Sequence, residues 1–289
     1  MRRISAIATI RDAYVFTFTH LGGVIGLIWV SMVMITVAQF FTFHRFYNDY
    51  ITVMAANGNP AQMGPTLLMM IAYMVAWLLL YSVMSVAVVQ LALGSRTSPA
   101  FAHFAFGPLE WRLFRAFAAF AGLLFLISVM IEIVINSAMP GLGGTGSQAG
   151  EGLFMLVMVG IVLVLSARFL LLPALAVNES GPALRRAWAL SAGNLLPLIG
   201  VVLGLFLPLG VVFVGILDIA IGLKGNAAAA AGANPEVQRM AALLLMRDTL
   251  PLICGLSFLF SPLVIGLCAG ASVSVWRALK DEPALDIAV

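Results

Sequence analysis

Residues 195–223 read LLPLIGVVLGLFLPLGVVFVGILDIAIGL, with Asp218 as the one ionisable side chain in the run. About 20 helical residues cross a hydrocarbon core of roughly 30 Å, and this stretch exceeds that length. Lipid offers no partner to a free backbone N–H or C=O, so a continuous apolar run without the alternation of barrel strands must pair its backbone as a helix. Five further runs, near 21–43, 65–93, 113–136, 153–177 and 249–276, have the same character. The expectation is one polytopic all-α membrane domain over residues 1–289, with six transmembrane helices.

Composition agrees. Of 289 residues 62% are hydrophobic and 9% charged, and the mean hydropathy is +1.08. An ordinary soluble domain is about one-quarter charged, so this chain has too few ionisable groups to cover a water-facing surface. The net charge of +3 is spread too thinly for a phosphate-tracking surface, which argues against a nucleic-acid partner. Thirteen of the fifteen cations are Arg, beside abundant Ala, Gly, Leu and Val, a bias typical of bacteria with GC-rich genomes. Cys254 and Cys268 share one apolar segment, about 21 Å apart along a straight helix, too far to pair.

The cations orient the spans. Arg2, Arg3, Arg11, Arg96, Arg112, Arg115, Arg168, Arg185, Arg186, Arg277 and Lys280 flank one side, whereas Arg45, Lys224, Arg239 and Arg247 flank the other. The positive-inside rule places both termini in the cytoplasm, and hence the chain in a bacterial inner membrane. The apolar run after Arg2 and Arg3 begins about twenty residues in and lacks a clear cleavage site, so it reads as a retained helix.

Three connections on the basic side carry helical patterns of their own, near 4–18, 98–107 and 181–192. The first places Ile4, Ile7, Tyr14, Val15 and Phe18 on one side, as in a helix lying in the interface plane. The second opens with Ser98-Pro99, a cap followed by proline at the first helical position. The third follows Gly181-Pro182 with Leu184, Ala187, Trp188 and Ser191 in one stripe. Laying residues 10–26 over 184–200 pairs Arg11 with Arg185, Ala13 with Ala187, Tyr14 with Trp188, Thr17 with Ser191, His20 with Asn194 and Gly26 with Gly200. Such parallel repeats predict three units, each an elbow helix followed by a transmembrane hairpin.

The stretch with Arg168-Phe169, Pro173-Ala174, Ala183-Leu184, Arg186-Ala187-Trp188, Leu190-Ser191 and Asn194 resembles bacterial six-helix membrane proteins related to the membrane domain of glycerophosphoryl diester phosphodiesterases. The motif spans about 30 residues; elbows and hydropathy extend the likeness more loosely. In bifunctional members a separate soluble barrel holds the hydrolase chemistry. The resemblance therefore implies a membrane domain alone and carries over no catalytic residue.

Glu132 and Asp218 sit inside the third and fifth runs, toward their outer ends. Ionisable groups in a span are costly and so are candidates for a shared proton or cation site; the alternative is interfacial snorkelling. Arg168 lies about nine residues into span four. It reads either as a structural clamp on Glu179, Glu110 or carbonyls freed by Pro173, or, with Arg185, Arg186 and Trp188, as a binder of lipid headgroups. Gly141–Gly146 matches the dinucleotide fingerprint only in letters, because it joins two spans and reads as a linker. His20, His44 and His103 make no ligand cluster with the cysteines. No metal, cofactor or nucleophile–base pair is expected.

Gly22/Gly26, Gly200/Gly204 and Gly266/Gly270 are small-xxx-small pairs, suited to close helix approach within the bundle or across a homo-oligomer. Pro197, Pro208, Pro251 and Pro262 free carbonyls in spans five and six, marking the last hairpin as a place for a cavity. An aromatic-rich extension follows span one from Phe43 to Tyr50, and residues 236–248 form a short amphipathic pattern; either suits an interface or a membrane-protein partner. The expected function is a non-enzymatic, lipid-interacting or scaffolding membrane protein contacting phospholipid. The alternative is a small transporter or channel using Glu132 and Asp218.

Overall fold

The structure, a computed structural model, describes residues 4–55, 63–95, 106–138, 148–179, 181–225 and 235–280. Among these residues the chain is all helix: α1 Ala6–Thr19, α2 Leu21–Ala55, α3 Gly64–Ala92, α4 Pro108–Ala138, α5 Gln148–Phe169, α6 Leu172–Asn178, α7 Ala183–Ser191, α8 Leu195–Gly225 and α9 Pro235–Lys280. Six spans are long and apolar enough to cross a membrane, α5 and α6 together making the fourth. The break between α5 and α6 precedes Pro173, whose ring cannot continue the α5 hydrogen-bond ladder but fits the first turn of a new helix. The 236–248 pattern is part of α9, which runs unbroken through Pro251 and Pro262.

The second helix of each hairpin lies inside. α3, α6 and α9 pack on one another, while α2, α4 and α8 stand around them. Each outer helix also touches the inner helix of the neighbouring hairpin: α2 on α9, α4 on α3, α8 on α5. The elbows reach across in the same sense, α1 onto α8 and α9, and α7 onto α5 and α6. The elbow expected at 98–107 lies almost wholly outside the described residues.

The 174-residue offset seen in the sequence also relates the burial of the two described elbows. Thr9, Ala13 and Thr17 are the buried residues of α1, and their counterparts Ala183, Ala187 and Ser191 are those of α7. Val24, Leu27 and Ile28 correspond to Leu198, Val201 and Val202, and all six are buried. Gly193, at φ +84°, makes the tight turn from α7 into α8 that a side chain would strain.

The small, partly polar stripe of α1 faces protein, while Ile7, Val15 and Phe18 of the expected apolar face are exposed. In a bilayer that is the sensible orientation, since lipid accepts an apolar side chain and small residues let backbones approach. A Cβ added at Gly204 would stand 2.5 Å from Ile10 Cδ1, one at Gly266 2.8 Å from Thr17 Cγ2, and one at Gly270 3.0 Å from Ala13 Cα. Pro208 deprives the Gly204 carbonyl of its helical partner, and the Tyr14 hydroxyl donates to Gly204 O at 3.3 Å and Leu205 O at 3.4 Å. The Ile4 N–H donates to Asn194 Oδ1 at 3.2 Å and the Ser274 hydroxyl to Asp12 Oδ2 at 3.2 Å, fixing both flanks of the elbow.

Burial is polarised along the axis. Residues 82–89 of α3 and 172–176 of α6 are buried throughout, as is most of 265–276 in α9. Toward the opposite end Phe125, Leu126, Met130, Leu156 and Val211 of α4, α5 and α8 are exposed apolar side chains, while Thr42, Thr66, Thr249 and Cys254 stay buried among α2, α3 and α9. We refer to the two as the closed and open ends.

Gly270→Leu should unseat α1, costing about 1–3 kcal/mol as overpacking does, whereas Gly22→Ala, with nothing within 4 Å of its Cβ, should leave stability unchanged. Thermal midpoints of the detergent-solubilised variants check both expectations.

Candidate functional site

Glu179, at the C-cap of α6, gathers the closed end. Its side chain is 9% exposed; Lys280 Nζ of α9 approaches Oε1 at 2.7 Å, and Arg186 of α7 hydrogen-bonds Oε2. Arg112 of α4 donates to the main-chain carbonyls of Glu179 at 2.8 Å and Ala176 at 3.3 Å, satisfying acceptors left over at the end of α6. At the other end of α6, the Ala174 N–H donates to the buried Ser272 hydroxyl at 3.0 Å. Burial alone would raise the Glu179 carboxyl, but the hydrogen bond and charge of Lys280, the nearby Trp276 indole and the charge of Arg186 together hold it below the ordinary carboxylate value.

Arg168 takes neither partner expected of it as a carboxylate clamp. Its guanidinium lies 4.1 Å from the Trp188 ring centroid, a cation–π contact, and Trp188 leans on Phe169 with centroids 6.0 Å apart. Arg185 is exposed, and Arg186 is committed to Glu179. The four lipid-headgroup candidates thus cluster at one edge of the closed end as an aromatic and cationic rim. Neither the Arg186–Glu179 pair nor the Arg112 clamp was assigned from sequence, although the surplus of arginines on this side pointed to the region.

Glu132 and Asp218 are not brought together. Both are exposed, on α4 and α8, and neither makes an ion pair with a described residue. No group of three or more His, Cys, Asp or Glu suited to a metal occurs among the described residues. Cys254 and Cys268 are both free thiols. Gly200, Gly204, Gly266 and Gly270 all serve as the seat of α1, whereas Gly22 faces open space and Gly26 is half-buried.

What sequence reasoning located only loosely, against the last hairpin, is the interior space. One cavity of about 460 Å³ lies among α3, α4, α5, α6, α8 and α9, and a second of about 480 Å³ among α2, α3, α8 and α9. They share Trp77, Tyr81, Phe206, Val264 and Ile265, so they adjoin. Neither is sealed, and no charged side chain lines either one among the described residues. The first reaches the closed end at Val89 and Pro173 and is almost wholly apolar, its few polar atoms coming from Tyr81, Ser85, Ser166 and Cys268. Tyr81, Ser85 and Cys268 line this cavity together. The second is displaced toward the open end and is far more polar.

Set against models of known families, curated proteins and solved structures, the chain matches none of them.

The lowered Glu179 carboxyl stabilises the closed end at neutral pH. That contribution is complete above the ordinary value of 4.5 and is lost as pH falls through the lowered folded-state value. Glu179→Gln should lower the thermal midpoint at pH 7 and flatten its decline on acidification; a variant with an unchanged acid limb would refute the assignment.

Proposed function

We propose that this integral membrane protein is a non-enzymatic, lipid-interacting factor of a bacterial inner membrane that takes the apolar chain of a membrane lipid into the two adjoining cavities. The observation that carries this reading is the pair of unsealed, charge-free spaces between helices, of a size typical for bound small molecules. Their walls of Trp, Phe, Leu, Val and Ile offer dispersion contact to an extended hydrocarbon chain, and such a chain loses nothing by leaving one apolar surround for another. Positive charge at the closed end supports placing that end, with both termini, in the cytoplasm. There Trp188 and the cations Arg168 and Arg185 suit the level of the phospholipid headgroups, where amphipathic rings and snorkelling cations settle.

The transporter alternative draws no support from the residues that suggested it, because Glu132 and Asp218 line neither cavity. A solute path also needs groups that replace hydration, and the inner cavity wall is nearly devoid of them.

Native mass spectrometry of the protein extracted with its own lipids tests the proposal. Wild type should retain lipid, and Ala121→Trp, which places an indole in the first cavity, should lose it while keeping its fold. Equal lipid retention by both proteins would overturn the chain-binding role.

A further inference from the structure

The walls of the second cavity specify more than a place for hydrocarbon. Thr36 and Gln39 of α2, Tyr73 of α3, and Ser257 and Ser261 of α9 converge on it from three helices. At a rise of about 1.5 Å per residue, Gln39 lies roughly 27 Å from the closed-end start of α2, Tyr73 roughly 29 Å from the closed-end terminus of α3 and Ser257 roughly 35 Å from that of α9. Measured instead from the open-end limits of the apolar runs, near 43, 65 and 249, Gln39 lies about 6 Å and Tyr73 and Ser257 about 12 Å inside, so this polar wall falls within the open-end half of the bilayer, below headgroup level. The nearly dry first cavity extends from it toward the closed end.

The donors and acceptors in this wall are all uncharged. Ser261 spends its proton on the Ser257 carbonyl at 2.6 Å and keeps its oxygen as an acceptor. The Gln39 carboxamide, two donors and an acceptor, has no hydrogen-bond partner among the described residues. All five residues are half-buried rather than sealed from solvent, and together they give one cavity wall a neutral hydrogen-bonding capacity that a ligand's hydroxyls are able to meet. Two open-end arginines, Arg45 and Arg247, are already engaged with carboxylates. Arg45 Nε pairs with Asp49 Oδ2 at 3.4 Å, Thr66 donates to the same carboxylate, and Arg247 pairs with Asp248 at 3.1 Å while reaching Asn48 at 3.5 Å. A phosphate brought into the cavity would find no free cation among these pairs and would lose its hydration.

Resting on the chain-binding reading above, we infer that the second cavity is the headgroup subsite for an uncharged, hydroxyl-bearing lipid, whose chain runs into the first cavity. The hydroxyls could come from a glycerol backbone, as in a diacylglycerol, or from a sugar, as in a glycosyl diacylglycerol; the chemistry recognised is the same. Anionic phospholipid is then a poor ligand for this site.

The test is a titration of the purified full-length protein, followed by native mass spectrometry, with dioleoylglycerol, a monoglycosyl dioleoylglycerol and dioleoyl phosphatidylglycerol, which share their chains. Wild type should bind one or both neutral lipids about tenfold more tightly than the phospholipid, an advantage worth about 1.4 kcal/mol. Whichever neutral lipid binds more tightly identifies the source of the hydroxyls. Gln39→Leu combined with Ser257→Ala should abolish that preference without changing phospholipid affinity, and Gln39→Asn with Ser257→Thr should restore part of it. Equal affinity for all three lipids in wild type, or a preference for phosphatidylglycerol, overturns the headgroup inference and leaves chain binding standing. Absence of all three lipids from wild type, or undiminished binding by Ala121→Trp, overturns the chain-binding reading and this inference with it.

Discussion

The packing rests on the close approach of α1 to α8 and α9, and that approach exists because four positions lack a side chain. Gly200, Gly204, Gly266 and Gly270 form a shallow trough where the elbow backbone rests against two membrane helices, with Thr9, Ala13 and Thr17 turned inward. The association inside lipid depends on van der Waals fit and interhelical hydrogen bonds, since burying apolar surface from lipid gains little. Tyr14 adds what the trough alone does not. Pro208 leaves a carbonyl in α8 without its helical donor, an expensive vacancy in hydrocarbon, and the Tyr14 hydroxyl fills it. The proline in α8 and the elbow that docks on it are thus coupled through Tyr14.

The exchange of elbows and outer helices between hairpins has a consequence for the interior. With α1 fastened to the last hairpin and α7 to the preceding one, the bundle is tied at the end where the elbows lie. Glu179 tightens the same end by joining α6 to α7 and α9, while Arg112 brings in α4. Among the described residues the opposite end has no comparable tie across all its helices; hydrogen bonds from Arg247 to Asn48 and from Thr66 to Asp49 link α2 with α9 and with α3, while its ion pairs lie within single helices. The two cavities lie among these helices, the first reaching down to the tied level at Val89 and Pro173 and the second displaced away from it.

Much of this was legible in the sequence, for reasons that differ from part to part. The six spans follow from run length and from the backbone's need for partners in lipid, constraints that leave a sequence like residues 195–223 only one solution. The 174-residue offset survives in burial as well as in letters, because the residues retained in both copies, Ala13 with Ala187 and Thr17 with Ser191, are those whose size packing restricts. The face of α1 was harder to read. Periodicity locates an apolar stripe but does not say whether protein or lipid covers it, and in a membrane the small polar stripe is the one that meets protein. The partners of Glu179 were illegible because they come from residues 186 and 280, whose separation carries no signal in one chain. Glu132 and Asp218 attracted attention by rarity alone; rarity says that a charge is costly without saying that two charges meet.

The distribution of polarity across the membrane then constrains what the interior is able to recognise. Ion pairs sit at both ends, while the space between them is lined by aromatic and aliphatic groups plus a few neutral hydrogen-bonding side chains. A site of this kind has no charge with which to distinguish one anion from another. It discriminates through the number and position of hydrogen bonds, which count for most where water is scarce, and through the length of chain its apolar portion accommodates. Tyr81 stands where the two spaces meet and lines both. On the proposed lipid-binding reading, the boundary between the apolar and polar parts of a bound amphiphile would fall at this residue.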